Sequence, residues 1–179
     1  MRDQLLDAVE RLLVKDGVDS VRLDAVAAEA GVSKGGLLHH FPNKRALVQG
    51  VVGRLADRFE AVLPGPDAPA GAYSLAWLDA SIPPESPAGD TSGASQVPVA
   101  LLAAAGGPEV LDVLRERYLG WQQRLEQDGL NPAVATLVRM AVDGWWSARL
   151  MDLSPPHDAL HRELRELLVN LIRDNGGET

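Results

Sequence analysis

The sequence predicts an all-α protein of about nine helices: a three-helix N-terminal head of helix-turn-helix type and a larger C-terminal helical bundle. Three observations carry that expectation. Apolar residues recur three and four apart through every long segment, the spacing that keeps side chains on one helical face. No stretch shows the strict alternation of a half-buried strand. Residues 23–41, LDAVAAEAGVSKGGLLHHF, put small residues where two helices must touch across a tight turn.

The first helix, about 2–16, sets Leu5, Leu6, Val9, Leu12 and Leu13 on one stripe and meets Gly17, a helix-ending residue. In the second, Leu23, Val26, Ala27 and Ala30 share a face, and Ala27 is small enough for another helix to approach closely. Gly31 supplies the backbone freedom of the turn, Val32 plugs it, and Ser33 is a good N-cap for a third helix over about 34–40. There Leu37, with Leu38 or Phe41, turns inward and leaves Lys34, Gly35, Gly36, His39 and His40 outside. A short helix with an exposed N-terminus, a lysine at its start and no acid suits a DNA major groove. The same apolar spacing would also serve an ordinary helical hairpin in a bundle.

A fourth helix starts after Pro42 with Asn43 as N-cap and carries Leu47, Val48, Val51, Val52, Leu55 and Phe59. It stops before Pro64-Gly65-Pro66, a breaker cluster. The boundary is set there: 1–60 as head with its linking helix, 61–179 as body. In the body a helix around 70–81 holds Tyr73, Leu75, Trp77 and Leu78. Residues 83–96, PPESPAGDTSGASQ, bury too little to be other than a loop, and 97–105 form a small apolar helix. Pro108 opens a helix over 108–128, and Asn131 with Pro132 opens one over 131–153. The latter is apolar on nearly all sides and is expected to be covered by more than one neighbour. The last helix, about 157–174, has Leu160, Leu164, Leu167, Leu168, Leu171 and Ile172 as its inner stripe.

The net charge of −8 speaks against nucleic acid only as a total. Residues 1–60 hold nine Lys and Arg against nine Asp and Glu, and 61–179 hold eight against sixteen, so the excess acid lies in the body. Between Gly31 and Arg58 stand Lys34, Lys44, Arg45, Arg54 and Arg58 against Asp57 alone. Phosphate contacts need local cations, which this head provides. Zero cysteines exclude a disulfide framework and a Cys-based metal site and fit a reducing cytoplasm. Nothing reads as a signal peptide or a membrane span, so a cytoplasmic protein is expected. There is no Gly-x-Ser-x-Gly elbow, phosphate loop or HExxH pair, hence no enzyme, catalytic residue, cofactor or metal is expected.

These residues resemble the TetR family of transcriptional regulators. The match runs over about 5–59, with LDAVAAEAGVSKGGLLHHFPNKRAL as its core: Ala27, then Ala30-Gly31-Val32-Ser33, His39-His40-Phe41, and Pro42-Asn43-Lys44-Arg45-Ala46-Leu47. Asp143-Gly144 and SKGGLLHHFP resemble the branch of multidrug-binding efflux repressors more weakly. The resemblance implies a homodimer that binds a palindromic double-stranded operator and releases it when a small effector binds the body. It makes Ser33, Lys34, Gly35, Gly36, His39 and His40 the DNA-facing candidates, and Lys44 a phosphate contact. Three positions depart from the family pattern. Leu38 stands where a phosphate-contacting Tyr is usual, so either His39 replaces that contact or Leu38 joins the core. Arg22 replaces the Ser/Thr cap and can reach a phosphate. Gly35 and Gly36 each cost about 1 kcal/mol of helix stability relative to Ala.

In the body, Trp77, Tyr118, Trp121, Met140, Asp143 and Trp146 are the effector-binding candidates, with aromatics stacking a planar ligand and Asp143 meeting a cation. The plain alternative is that the tryptophans are core and Asp143 pairs with Arg139, one turn earlier. Gly144 reads as a close helix-helix contact. The helices over 131–153 and 157–174 are the dimer candidates, with His157, His161 and Arg162 at the rim. An activator with the same head, and a helical interaction module that binds no DNA, stay as alternatives.

Overall fold

Among the described residues the spacing of three and four becomes helix. The computed structural model describes residues 1–82, 84, 107–150 and 153–176. Among these it contains eight α-helices and no strand: α1 (Arg2–Asp16), α2 (Leu23–Glu29), α3 (Lys34–His40), α4 (Lys44–Ala61), α5 (Ala72–Ser81), α6 (Pro108–Glu126), α7 (Pro132–Leu150) and α8 (Asp158–Asn175). A 3-10 turn, Val18–Ser20, follows α1. The loop expected over 83–96, Pro84 apart, and the helix expected over 97–105 lie outside the described residues. No described helix is long and apolar enough to cross a membrane.

Two compact units divide the chain, and α4 and α6 each contribute to both. The first takes Met1–Asp57 and α6 as far as Arg117. Its buried core holds the α1 stripe of Leu5, Leu6, Val9, Leu12 and Leu13 together with Val26, Leu37, Leu47 and Val51. Helix α1 ends at Gly17 with φ +73, whose N–H donates to the Leu13 carbonyl at 3.1 Å. Asn43 caps α4, its Oδ1 accepting from the Ala46 N–H at 2.8 Å. Arg54, largely buried, ties α4 to α1 by donating to Asp7 at 2.7 Å and Glu10 at 2.6 Å.

The second unit holds α5, α6 from Tyr118 onward, α7 and α8; α5 packs on α7 and α8. Helix α5 begins at Gly71, which has φ +78 and no side chain with which to cap. The cap comes from elsewhere in the chain. Asp128, in the turn after α6, accepts from the Tyr73 and Ser74 N–H groups at 2.9 and 2.7 Å, and its carbonyl accepts from Gly71 at 2.8 Å. The next residue, Gly129, has φ +74, and a Cβ there would lie 2.7 Å from the Ala70 Cβ. Asp128 is buried, so removing its carboxylate strands two N–H donors. We expect Asp128→Ala to destabilise the protein by about 1–3 kcal/mol, measured by chemical denaturation.

Helix α7 has more than one neighbour, as expected, packing on α5 and α8. Among the described residues it nonetheless keeps an open face: Ala135, Val138, Val142 and Trp145 are buried, whereas Met140 is 60% exposed and Leu137 54%. Gly144 shares the open face, and a Cβ added there meets nothing within 4 Å, so it makes no close helix contact with any described residue. The α8 stripe also splits. His161, Leu168 and Ile172 point inward, while Leu160 and Leu167 are 60% and 65% exposed. Six apolar residues span too wide an arc for one neighbour to cover. His161 is therefore no rim residue: it is buried with its ring 5.7 Å from that of Trp145.

Candidate functional site

The turn of the head is built from local geometry. Gly31 takes φ +67, and the Val32 N–H reaches back to the Ala27 carbonyl at 2.9 Å, closing α2. Val26, Ala27 and Ala30 are buried, and α2 packs on α3. Ser33 is extended, and its Oγ accepts from the Gly36 N–H at 3.1 Å. Leu37 and Phe41 are fully inside, and Leu38 is half-buried. Arg22, Ser33, Lys34, Gly35, His39, His40 and Lys44 are all exposed, and Gly36 is half-exposed. The His39 and His40 rings meet edge to face at 5.3 Å.

The local cations are less available than their number implies. Lys34 pairs with Asp24 at 2.9 Å, Arg45 with Glu109 at 2.6 Å, and Arg54 is spent on α1. Lys34, donating to the Asp24 carboxylate and placing its charge beside it, holds that carboxyl below its ordinary range. Lys44 makes no ion pair with any described residue and stands exposed at the start of α4.

In the second unit the structure brings Trp77, Tyr118 and Trp121 together around Phe59. Trp77 lies 4.7 Å from Phe59, 5.4 Å from Trp121 and 6.4 Å from Tyr118, each pair of rings edge to face. Such contacts add about 0.5–1.5 kcal/mol each beyond the area they bury. A polar chain runs beside the rings. Tyr118 donates to Asp143 Oδ1 at 3.0 Å, Arg139 to Asp143 Oδ2 at 2.7 Å, and Arg139 Nε to Gln122 Oε1 at 2.7 Å. Gln122 donates onward to Thr136 at 2.9 Å. Burial raises the Asp143 carboxyl, with Arg139 and Tyr118 pulling the other way.

Burial, then the neighbouring Asp143 charge, pushes the Tyr118 phenol above the tyrosine range. Burial likewise raises Tyr73, against the pull of the Arg124 guanidinium stacked 4.9 Å from its ring. These are the chain's two tyrosines, so tyrosinate absorbance reads them directly. Both folded values exceed the unfolded value of about 10. Their stabilisation is therefore present in full below about pH 10 and is lost as pH climbs through the folded values. Near pH 10 the folded protein is expected to show far less tyrosinate than the chain in denaturant; equal titration would refute the placement of both phenols.

Met140 and Trp146 are not brought to this cluster: Met140 lies on the open face of α7, and Trp146 stacks edge to face on Trp145 at 5.1 Å. Sequence reasoning missed Phe59, which it read only as part of the fourth helix's stripe. It also missed Asp24 beside Lys34, and Glu60, which accepts from the Trp121 indole at 2.9 Å. The Asp143–Arg139 pairing alone had a signal, the spacing of four.

A helix-turn-helix head joined to a helical bundle defines a DNA-binding transcriptional regulator. Residues 5–51 match the tetR family of bacterial regulatory proteins, and residues 71–173 match the tetracyclin repressor-like C-terminal domain. The chain belongs to the TetR family of transcriptional regulators, whose members are regulators and not enzymes. Over 117 residues it is 31% identical to the HTH-type transcriptional regulator AlkX of Mycobacterium tuberculosis, covering 64% of this chain. The matched stretch is 53% of AlkX, so the chain spans about half the length of that curated relative. Its fold is similar to that of a transcriptional regulator from Rhodococcus sp. Rha1, with TM-score 0.77, 20% identity and coverage of 100% and 99% of the two chains. It is also similar to the multidrug binding protein EbrR complexed with ethidium, with TM-score 0.66, 25% identity and coverage of 96% and 98%.

Proposed function

We propose that this TetR-family regulator is a repressor that binds a palindromic operator as a dimer and lets go when an aromatic, cationic effector enters the body. In this reading residues 1–60 dock on DNA and 61–179 bind the effector and the second subunit. The observation that carries it is the pairing of the Tyr118, Trp77 and Trp121 rings with the half-buried Asp143 carboxylate. Aromatic faces and a partly desolvated acid suit a planar or bulky cation. The cation would take the place of Arg139 at Asp143. The ethidium complex of EbrR supports that ligand class.

Arg22, Ser33, Lys34, Gly35, Gly36, His39, His40 and Lys44 form the DNA face, with Lys44 as a phosphate contact. Two glycines leave few side chains for base edges, so readout leans on Lys34, backbone contacts and DNA shape. The dimer is assigned to the open faces of α7 and α8, where Leu137 and Met140 line up with Gly144, and Leu160 with Leu167. The exposed Gly144 lets a partner helix come close.

The test begins with duplexes selected by the protein from a random pool, which should contain an inverted repeat. Tetraphenylphosphonium, an aromatic cation that does not intercalate, should release the selected duplex, whereas the neutral phenylphosphorus compound triphenylphosphine oxide should not. Release by neutral or acidic compounds only would rule out the role of Asp143. A reporter placed behind the selected site should fall silent when the regulator is present; increased expression would make it an activator.

A further inference from the structure

The acid closest to the first residue of α3 sits on the helix before it. Asp24, in the first turn of α2, holds Lys34 Nζ at 2.9 Å, and both side chains are more than half exposed, 56% for Lys34 and 67% for Asp24. An acid at a helix N-terminus has a local use, since it complements the backbone dipole. That use needs no lysine from the neighbouring helix. Lys34 is the cation that opens α3, and it has one charge to offer. To meet a phosphate or a base edge it must leave the carboxylate or bring it along, and a carboxylate beside phosphates is repelled. Lys44 faces no such choice, having no ion-pair partner among the described residues.

We infer that Asp24 is a built-in competitor for DNA, occupying Lys34 in the free protein as a phosphate would in the complex. The inference rests on the proposed reading that α3 meets DNA. Its consequence is a head whose affinity for any duplex is held down, so that it leaves unrelated DNA more readily. The pair is exposed, which limits its size: surface ion pairs span about a 1.4- to fivefold effect on an equilibrium.

A double-mutant cycle tests it, using the full chain, Asp24→Asn, Lys34→Ala and both together. Dissociation constants are read by anisotropy on the selected duplex and on one of unrelated sequence. Asp24→Asn is expected to tighten both by about two- to fivefold. Lys34→Ala should cost about two- to fivefold more in the Asp24→Asn background than in the parent, and that coupling should shrink as salt is raised. Asp24→Ser, neutral and tolerated at a helix start, should give the same coupling, separating it from any loss of α2 stability. Additive effects would mean that Asp24 only repels DNA, and would overturn the inference while leaving Lys34 at the interface. A silent Lys34→Ala in both backgrounds would overturn it together with the proposed role of Lys34.

Discussion

Replacing Lys34 and Lys44 together by alanine is expected to weaken binding to the selected duplex by on the order of tenfold to a hundredfold. The loss should fall on related and unrelated sequences alike for the Lys44 share, because a phosphate contact carries no sequence information. The slope of log affinity against log salt should shrink by about 1, the share of the one phosphate contact assigned to Lys44. Folding should be untouched. Both lysines are exposed, and the Lys34–Asp24 pair is a surface pair worth about 0–1 kcal/mol. A double variant that melts like the parent and still binds DNA with full affinity would remove the basis for assigning this head to DNA. A helical interaction module without DNA would show that outcome.

Trp77→Ala is expected to destabilise the second unit by about 3–5 kcal/mol, read by denaturant unfolding. Trp77 is buried and touches Phe59, Tyr118 and Trp121, so its removal empties the middle of the ring cluster. Trp77→Phe should cost much less than that. It keeps a ring against Phe59, and it removes an indole Nε1 that is buried with no hydrogen-bond partner among the described residues. Leaving a polar donor unpaired costs about 1–3 kcal/mol, which partly offsets the lost volume. The two variants separate packing from recognition. If Trp77 stacks an effector, Trp77→Phe should weaken release by tetraphenylphosphonium at nearly unchanged stability. If it is packing alone, only Trp77→Ala should have a large effect.

Much of the head was legible because its signals are local. Gly17 and Gly31 lie where the chain needs a positive φ, Ser33 and Asn43 cap the helices they precede, and α3 spans Lys34–His40 as expected. Each rests on neighbours within a few residues. The body was less legible. The helix expected over 131–153 read as apolar on nearly all sides, and periodicity cannot say which of its faces its own chain covers. The capping of α5 by Asp128, more than fifty residues away, left no mark in the pattern.

What the sequence determined by itself was the order of helices, the turn chemistry and the family, because 3.6-residue periodicity and caps are properties of short segments. The contents of residues 23–41 were in that sense readable. Only the tertiary structure decided which charges are already spoken for: Lys34 by Asp24, Arg45 by Glu109, Arg54 by Asp7 and Glu10. It likewise decided that Trp77, Tyr118 and Trp121 meet while Met140 and Trp146 stay apart. Ion pairs and ring contacts fall off over a few ångströms between side chains on different helices. Spacing along one helix does not contain those distances.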